Sequence, residues 1–253
     1  MRGLEMWKQF FKGYEEYYTI IGGVACFLNM EEKGLDFRAT KDFDTVLIVE
    51  NLDEKFVKQF FKFVQFGKYQ SIYRGREEKR YYRFEKPENE EAPKMIELFT
   101  RKPSDYQLIP ESHLTPLHIS DSISSLSAIL LDDDYYSFLL DGKKIVGGIV
   151  VLDEFHLIPF KAKAYLDNLE RQKEGVTGLT NTIKKHKNDI ARLLMVLPRN
   201  EKIELSYSIR EDMKTFIATI LEEQPDEMMI MDLSLSDYCD LLSKIYLGSL
   251  VKE

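Results

Sequence analysis

The sequence predicts an α+β fold: a small mixed β-sheet flanked by helices, followed by a mostly helical C-terminal part. Three observations support this. Short runs rich in β-branched or other apolar residues, such as Val46-Leu47-Ile48-Val49 and Met95-Ile96-Glu97-Leu98-Phe99, recur in the first hundred residues and read as strands. Between them apolar residues recur at helical spacing, as in Phe56, Phe60, Phe63 and Val64. Beyond residue 153 the helical pattern takes over.

In chain order, residues 4–16 place Leu4, Trp7, Phe11 and Tyr14 on one helical face. Residues 17–21 form a short strand running into Gly22-Gly23, and Val24, Ala25, Phe27 and Leu28 begin a helix that reaches about Met30. A polar loop follows, then the strand 42–49. Asn51, with Glu54 three residues later, offers reciprocal capping to a helix ending near Gly67. Residues 69–76 and 80–85 read as a hairpin. Its Arg74, Arg76, Lys79, Arg80 and Arg83 are the most basic stretch of the chain, interleaved with Tyr73, Tyr81 and Tyr82. Such a hairpin either touches a nucleotide or RNA, or is a charged sheet edge guarded against pairing. A composition shift across residues 103–116 divides the chain into 1–105 and 106–253. In the second part Asp141-Gly142 is the turn signal of a hairpin between 135–140 and 143–151. Helices follow at 153–173, with Pro159 near the start, and from a Thr180 or Asn181 cap to about Leu197. Two more cover 211–223 and 236–247.

Composition narrows the function classes. A chain of 253 residues with 44% apolar and 31% charged residues can bury a sizeable core. A net charge of −8 argues against strong non-specific nucleic-acid binding, while leaving room for a local basic patch. Cys26 and Cys239 lie far apart without metal-site spacing, which supports neither a disulfide framework nor a zinc site. The four histidines show no ligand spacing either. No run approaches the ~20 apolar residues of a membrane span, and the N-terminus carries charges throughout. A soluble, cytoplasmic protein without a membrane partner is expected.

The chemistry concentrates between Ile20 and Val49. Side chains two apart on a strand share a face, so Asp42 and Asp44 point the same way. Two carboxylates that close repel unless a cation lies between them, and all-oxygen ligands suit magnesium. Glu97 sits within an otherwise apolar strand, where a carboxylate is costly unless paired or on metal, and is the natural third acid. Gly22 and Gly23 at a strand-to-helix junction let backbone approach a phosphate, or simply make a tight turn. Lys187 falls on the stripe of Ile183, Ile190 and Leu194, and either snorkels or reaches into a site.

Gly22-Gly23, then Lys41-Asp42-Phe43-Asp44 on a strand, then Glu97 on a later strand, resembles the nucleotidyltransferase superfamily that includes DNA polymerase β. Within it the chain is similar to the abortive-infection (AbiEii/AbiGii) toxin-type nucleotidyltransferases. That closer resemblance rests on residues 38–44 (RATKDFD), 159–167 (PFKAKAYLD) and 185–190 (KHKNDI), and spans most of 17–197. Eighteen residues separate Gly23 from Asp42, more than compact members carry, implying an insertion or a longer helix. The resemblance implies a catalytic core in 1–105 and a helical part in 106–253 that contributes to the site. It implies that Asp42, Asp44 and Glu97 hold two Mg2+ ions, with Glu97 a candidate proton acceptor. It also implies that Gly22, Gly23, Lys161, Lys187 and Asp189 bind the nucleotide. The activity implied is transfer of a nucleoside monophosphate from an NTP to an acceptor hydroxyl. The acceptor would be RNA such as a tRNA end, and a cognate antitoxin would be the partner. Two alternatives are a small-molecule nucleotidyltransferase of the antibiotic-modifying kind and a non-catalytic nucleotide-binding protein of the same fold.

Overall fold

The computed structural model describes residues 1–74, 81–101, 129–130, 132–222 and 234–248. Arg76, Lys79 and Arg80 of the basic stretch, and the composition shift at 103–116, lie outside them. The chain forms two compact units. One comprises Met1–Leu131 with Lys143–Asp153, the other Asp132–Gly142 with Glu154–Glu253.

The first unit is built on a mixed seven-stranded sheet: β1 (Tyr18–Ile20), β2 (Asp42–Leu47), β3 (Tyr69–Arg74), β4 (Tyr81–Pro87), β5 (Met95–Thr100), β6 (Lys143–Val146) and β7 (Ile149–Leu152). Their spatial order is β3-β4-β5-β2-β1-β7-β6. β2 runs parallel to β5 and β1 parallel to β7, while the remaining pairs are antiparallel. Among the described residues three helices accompany the sheet: α1 (Leu4–Phe11), α2 (Gly22–Glu32) and α3 (Glu54–Gly67). Strand alternation sends Phe43 and Phe84 to one face, where Trp7 of α1 and Phe60 and Phe63 of α3 cover them. Ring centroids lie 5.5 Å apart for Trp7–Phe43, 5.3 Å for Trp7–Phe63 and 5.6 Å for Phe60–Phe84. Buried aromatics of this size anchor the sheet from one side. α2 is tied into the sheet by buried Asn29, whose side-chain amide donates to the Leu152 carbonyl at 2.9 Å.

Local chemistry moves several boundaries. Gly22 and Gly23 are not ahead of α2 but form its first turn. Asp53, not Asn51, caps α3: its carboxylate accepts the Phe56 N–H at 2.8 Å, and the Tyr17 hydroxyl donates to it at 3.0 Å. Asn51 instead donates its amide to the Glu16 carbonyl. Asp141-Gly142 is not a hairpin turn. Asp132 accepts the N–H groups of Asp134 and Tyr135 and starts a helix, α4 (Asp133–Asp141), for which Gly142 is the C-cap. The hairpin that follows turns at Gly147-Gly148, both at positive φ (58° and 86°), the conformation a tight two-residue β-turn requires. Its strands join the sheet of the first unit beside β1.

The second unit is helical. α4 is joined by α5 (Glu154–Lys173), α6 (Thr180–Leu194), α7 (Tyr207–Leu221) and α8 (Leu235–Tyr246). Pro159, the sixth residue of α5, cannot donate to the Phe155 carbonyl one turn back, and the Tyr246 hydroxyl donates to that carbonyl instead at 2.8 Å. Edge-on ring contacts, Tyr135–Phe160 at 5.2 Å and Tyr165–Phe216 at 5.1 Å, join α4 and α7 to α5. Among the described residues, no helix is long and apolar enough to cross a membrane.

Candidate active site

The parallel β2–β5 ladder sets Asp44 opposite Glu97, and the antiparallel β4–β5 ladder sets Arg83 opposite Glu97. Register partners share a sheet face, so Arg83, Glu97 and Asp44 form a row across three strands, with Asp42 two residues along. The intervening residues Phe43, Thr45, Ile96, Leu98, Tyr82 and Phe84 are buried on the other face. Strand parity in the sequence places Asp42 and Asp44 together, and the ladder brings Glu97 alongside.

Asp42 and Asp44 are half-buried, whereas Glu97 is only 7% exposed. The cation beside Glu97 is Arg83. Its Nε donates to Glu97 Oε1 at 2.8 Å, its Nη2 approaches the same oxygen, and its Nη1 lies 3.5 Å from Glu85 Oε1. A carboxylate held in a buried strand by a two-nitrogen guanidinium contact is the expected way to offset its desolvation. Arg83 is a site residue that its sequence surroundings group with the basic hairpin. Its position between Tyr82 and Phe84, two large apolar residues of opposite parity, is the signal that sets it apart.

Gly22 opens α2 at φ +65°, a left-handed conformation that side chains disfavour, and a Cβ there would fall on Asp44 Oδ2. The neighbouring Ile21 N–H donates to the Asp44 carbonyl at 2.8 Å. A Cβ on Gly23 would fall on the Thr40 hydroxyl, with the Arg38 guanidinium just beyond. The glycine pair thus lets the first turn of a helix close directly onto Asp44, Thr40 and Arg38. Helix N-termini carry unsatisfied N–H groups and a partial positive charge, a natural place for phosphate oxygens.

Two adjoining clefts of about 370 and 480 Å3 share Arg2, Lys41 and Lys94. The larger adds Lys86, Asp42 and Glu85, so four cations and two carboxylates line it. Arg2 is fixed there by its Nε on the Ala92 carbonyl at 2.8 Å and a further bond to the Asn89 carbonyl at 3.0 Å. Lys86, just before Pro87, holds a left-handed φ of 53°. The cleft is locally positive in a chain of net charge −8.

In the second unit, Lys161 of α5 donates to Asp189 of α6 at 2.9 Å, with side-chain exposures of 6% and 0%. Lys187, two residues before Asp189 on α6, is also buried. Nearby on α5, burial works to lower the Lys163 pKa, but the carboxylates of Asp212 at 3.2 Å and Asp167 at 3.7 Å outweigh it and raise it.

Oxygen donors on one face fit a hard divalent ion, which completes its shell with water and phosphate; Asp42 and Asp44 supply two such carboxylates beside a helix N-terminus. Glu97 faces the Arg83 guanidinium. Among the described residues, no three His, Cys, Asp or Glu side chains are grouped to hold a metal.

No family model matches the chain, and no curated protein matches it. Among solved structures it is similar to an antigenic nucleotidyltransferase-like protein from Paracoccidioides brasiliensis, with 16% identity over 97% of this chain and 96% of that chain, at a TM-score of 0.47. At that similarity the functional reading rests on the residues of the site.

Proposed function

We propose that the chain is a magnesium-dependent nucleotidyltransferase that moves a nucleoside monophosphate from an NTP to an acceptor hydroxyl, with RNA as the acceptor class. The observation that carries this reading is the close approach of Gly22 to Asp44. A strand bearing two carboxylates on one face meets a helix whose first residue must lack a Cβ for the carboxylate to fit. A tight turn needs no such partner.

In this reading Asp42 and Asp44 hold the metal, which when bound neutralises phosphate charge. The first-turn N–H groups of α2, from Gly22 onward, bind phosphate oxygens. The acceptor oxygen attacks the α-phosphorus, the bond from that phosphorus to the bridging oxygen breaks, and pyrophosphate departs. The hydroxyl's proton passes to a carboxylate of the row. Lys161, Lys187 and Asp189 enter the proposal as nucleotide-binding residues on the resemblance of residues 159–167 and 185–190 alone, and the sealed Lys161–Asp189 pair would have to open to meet a nucleotide. The basic cleft beside Asp42 favours an anionic acceptor strand over a cationic small molecule, which would need an acidic pocket.

Calorimetric titration of each NTP with magnesium tests this. Wild type is expected to bind in a magnesium-dependent manner, and Asp42→Ala/Asp44→Ala to lose that binding. Folded wild-type protein that binds none of the four NTPs would sink the reading.

A further inference from the structure

Granting that reading, we propose that the acceptor RNA is gripped as a single strand. An unpaired base lies against the Phe27 ring in the smaller cleft, and its flanking phosphates lie over Arg2, Lys41 and Lys94.

Phe27 is four residues beyond Gly23, so both lie on one face of α2. The chain that passes this face is Ala39-Thr40-Lys41. It meets the helix at Gly23, where a Cβ would fall on the Thr40 hydroxyl, and together with Phe27 it walls the cleft of about 370 Å3. The next residue, Asp42, lines the adjoining cleft, and Arg2, Lys41 and Lys94 are common to both. A ligand that fills the smaller cleft therefore continues over shared cations toward the carboxylate of the site.

Phe27 decides what that ligand is. Val24, Ala25, Cys26 and Leu28 around it on α2 are buried, whereas Phe27 is half-exposed at the cleft wall. Cations alone would suit any polyanion. An aromatic side chain beside them makes a stacking platform, and every base has a π-face to lay on it. Among the described residues, the lining of the smaller cleft holds three cations and no carboxylate. The larger cleft sets four cations against Asp42 and Glu85, and Glu85 has the Arg83 guanidinium 3.5 Å away. The excess of positive charge thus runs through both clefts, as a strand with recurring phosphates requires. A duplex hides its base faces in its own stack and has to unpair and unstack a base before filling the smaller cleft. The cleft also lies near the small end of ligand pockets, a size for one base and not for a helix.

Fluorescence anisotropy on the full chain tests this with a labelled single-stranded RNA oligonucleotide. Two probes of the same length accompany it: its blunt duplex, and a chain in which abasic spacers replace the bases. Wild type is expected to bind the single strand about tenfold or more tightly than the duplex. Phe27→Ala should weaken single-strand binding by about tenfold, within the range for loss of one base–aromatic stack, with the salt slope unchanged. Phe27→Tyr keeps the ring and should bind as wild type does. On the abasic chain Phe27→Ala should make no difference, an outcome that a merely structural role would not produce. Circular dichroism confirms folding, and Phe27→Leu, which keeps bulk without a π-face, replaces Phe27→Ala should that variant not fold. Equal losses on the intact and abasic chains, or a duplex bound as tightly as the single strand, would overturn the proposal. Magnesium-dependent NTP binding is titrated in parallel. Its loss in folded Phe27→Ala would assign the ring to the NTP and also overturn the proposal. Wild type that binds NTP but no RNA removes this proposal alone, whereas folded wild type that binds no NTP removes the underlying reading and this proposal with it.

Discussion

Two ion pairs of the molecule have opposite surroundings. Lys161–Asp189 in the helical unit is sealed, with both side chains almost without exposure. Arg83–Glu97 in the sheet unit is nearly as buried, yet it shares a sheet face with half-buried Asp42 and Asp44. A buried carboxylate therefore announces that some cation is near, and says nothing about which kind. In both regions a side chain of the protein supplies one. What separates them is the neighbourhood: further charge at the rim of a cleft in one case, packed helices in the other.

The sealed pair should show the largest effect. Asp189→Ala takes the carboxylate away from a buried ammonium and is expected to lower stability by about 3–5 kcal/mol, whereas Lys161→Met/Asp189→Leu should be nearly neutral. Urea denaturation of the full chain measures both. If the single variant cost no more than an ordinary surface change, the lysine would have another partner and the contrast between the two regions would collapse.

Next comes the junction that makes the sheet region different. Gly22→Ala forces a side chain into left-handed φ and against Asp44 Oδ2, expected to cost about 1–3 kcal/mol. Nucleotide affinity should fall further than stability, because the displaced carboxylate belongs to the site. Equal loss in both, read by calorimetry and urea midpoint, would reduce Gly22 to a packing residue.

Much of this is legible in the sequence, for physical reasons. Strand parity sets the shared face of Asp42 and Asp44, and the burial cost of Glu97 singles it out before any pairing is known. Gly22-Gly23 stands at a strand–helix junction where a turn or a phosphate contact are the options, and the α2 boundary shifts by only two residues. What is hidden requires partners distant in sequence. Arg83 is fourteen residues from Glu97, and only the β4–β5 register shows that they meet. The cleft draws on Arg2, Lys41, Lys86 and Lys94, cations from four separate stretches that no linear scan would group. At Asp141-Gly142 a good turn dipeptide loses to a better local solution: Asp132 caps a helix whose Tyr135, Tyr136, Phe138 and Leu139 are buried, and the next glycine pair makes the turn.

The cleft sharpens the comparison at lower amplitude. Lys86 and Lys94 are exposed and lie outside the acidic row, so Lys86→Gln/Lys94→Gln should leave NTP binding unchanged. RNA binding, followed by fluorescence anisotropy across a salt series, should weaken. The slope of log affinity against log salt should shrink by about 0.7 for each phosphate that the variant no longer neutralises. An unchanged slope would mean that the acceptor, if RNA, approaches elsewhere.

The smallest effect calibrates the other end of the scale, a carboxylate that caps a helix instead of facing a buried cation. The Phe56 N–H at the start of α3 is the main influence holding the Asp53 pKa below its ordinary value; burial works the other way, and the Tyr17 hydroxyl adds to the lowering. A carboxyl depressed in the folded state binds protons more readily when unfolded. Its stabilisation is therefore complete above the unfolded value of about 3.9 and is lost as pH falls through the lower folded value. Asp53→Asn keeps an acceptor for the Phe56 N–H but cannot titrate, so the acid limb of the stability curve should flatten in that window while neutral-pH stability changes little. The same group holds the Tyr17 hydroxyl as a donor and raises its pKa, so the variant should also let Tyr17 ionise at lower pH in an ultraviolet titration. An acid limb that stays as steep as wild type would assign acid sensitivity to carboxylates elsewhere.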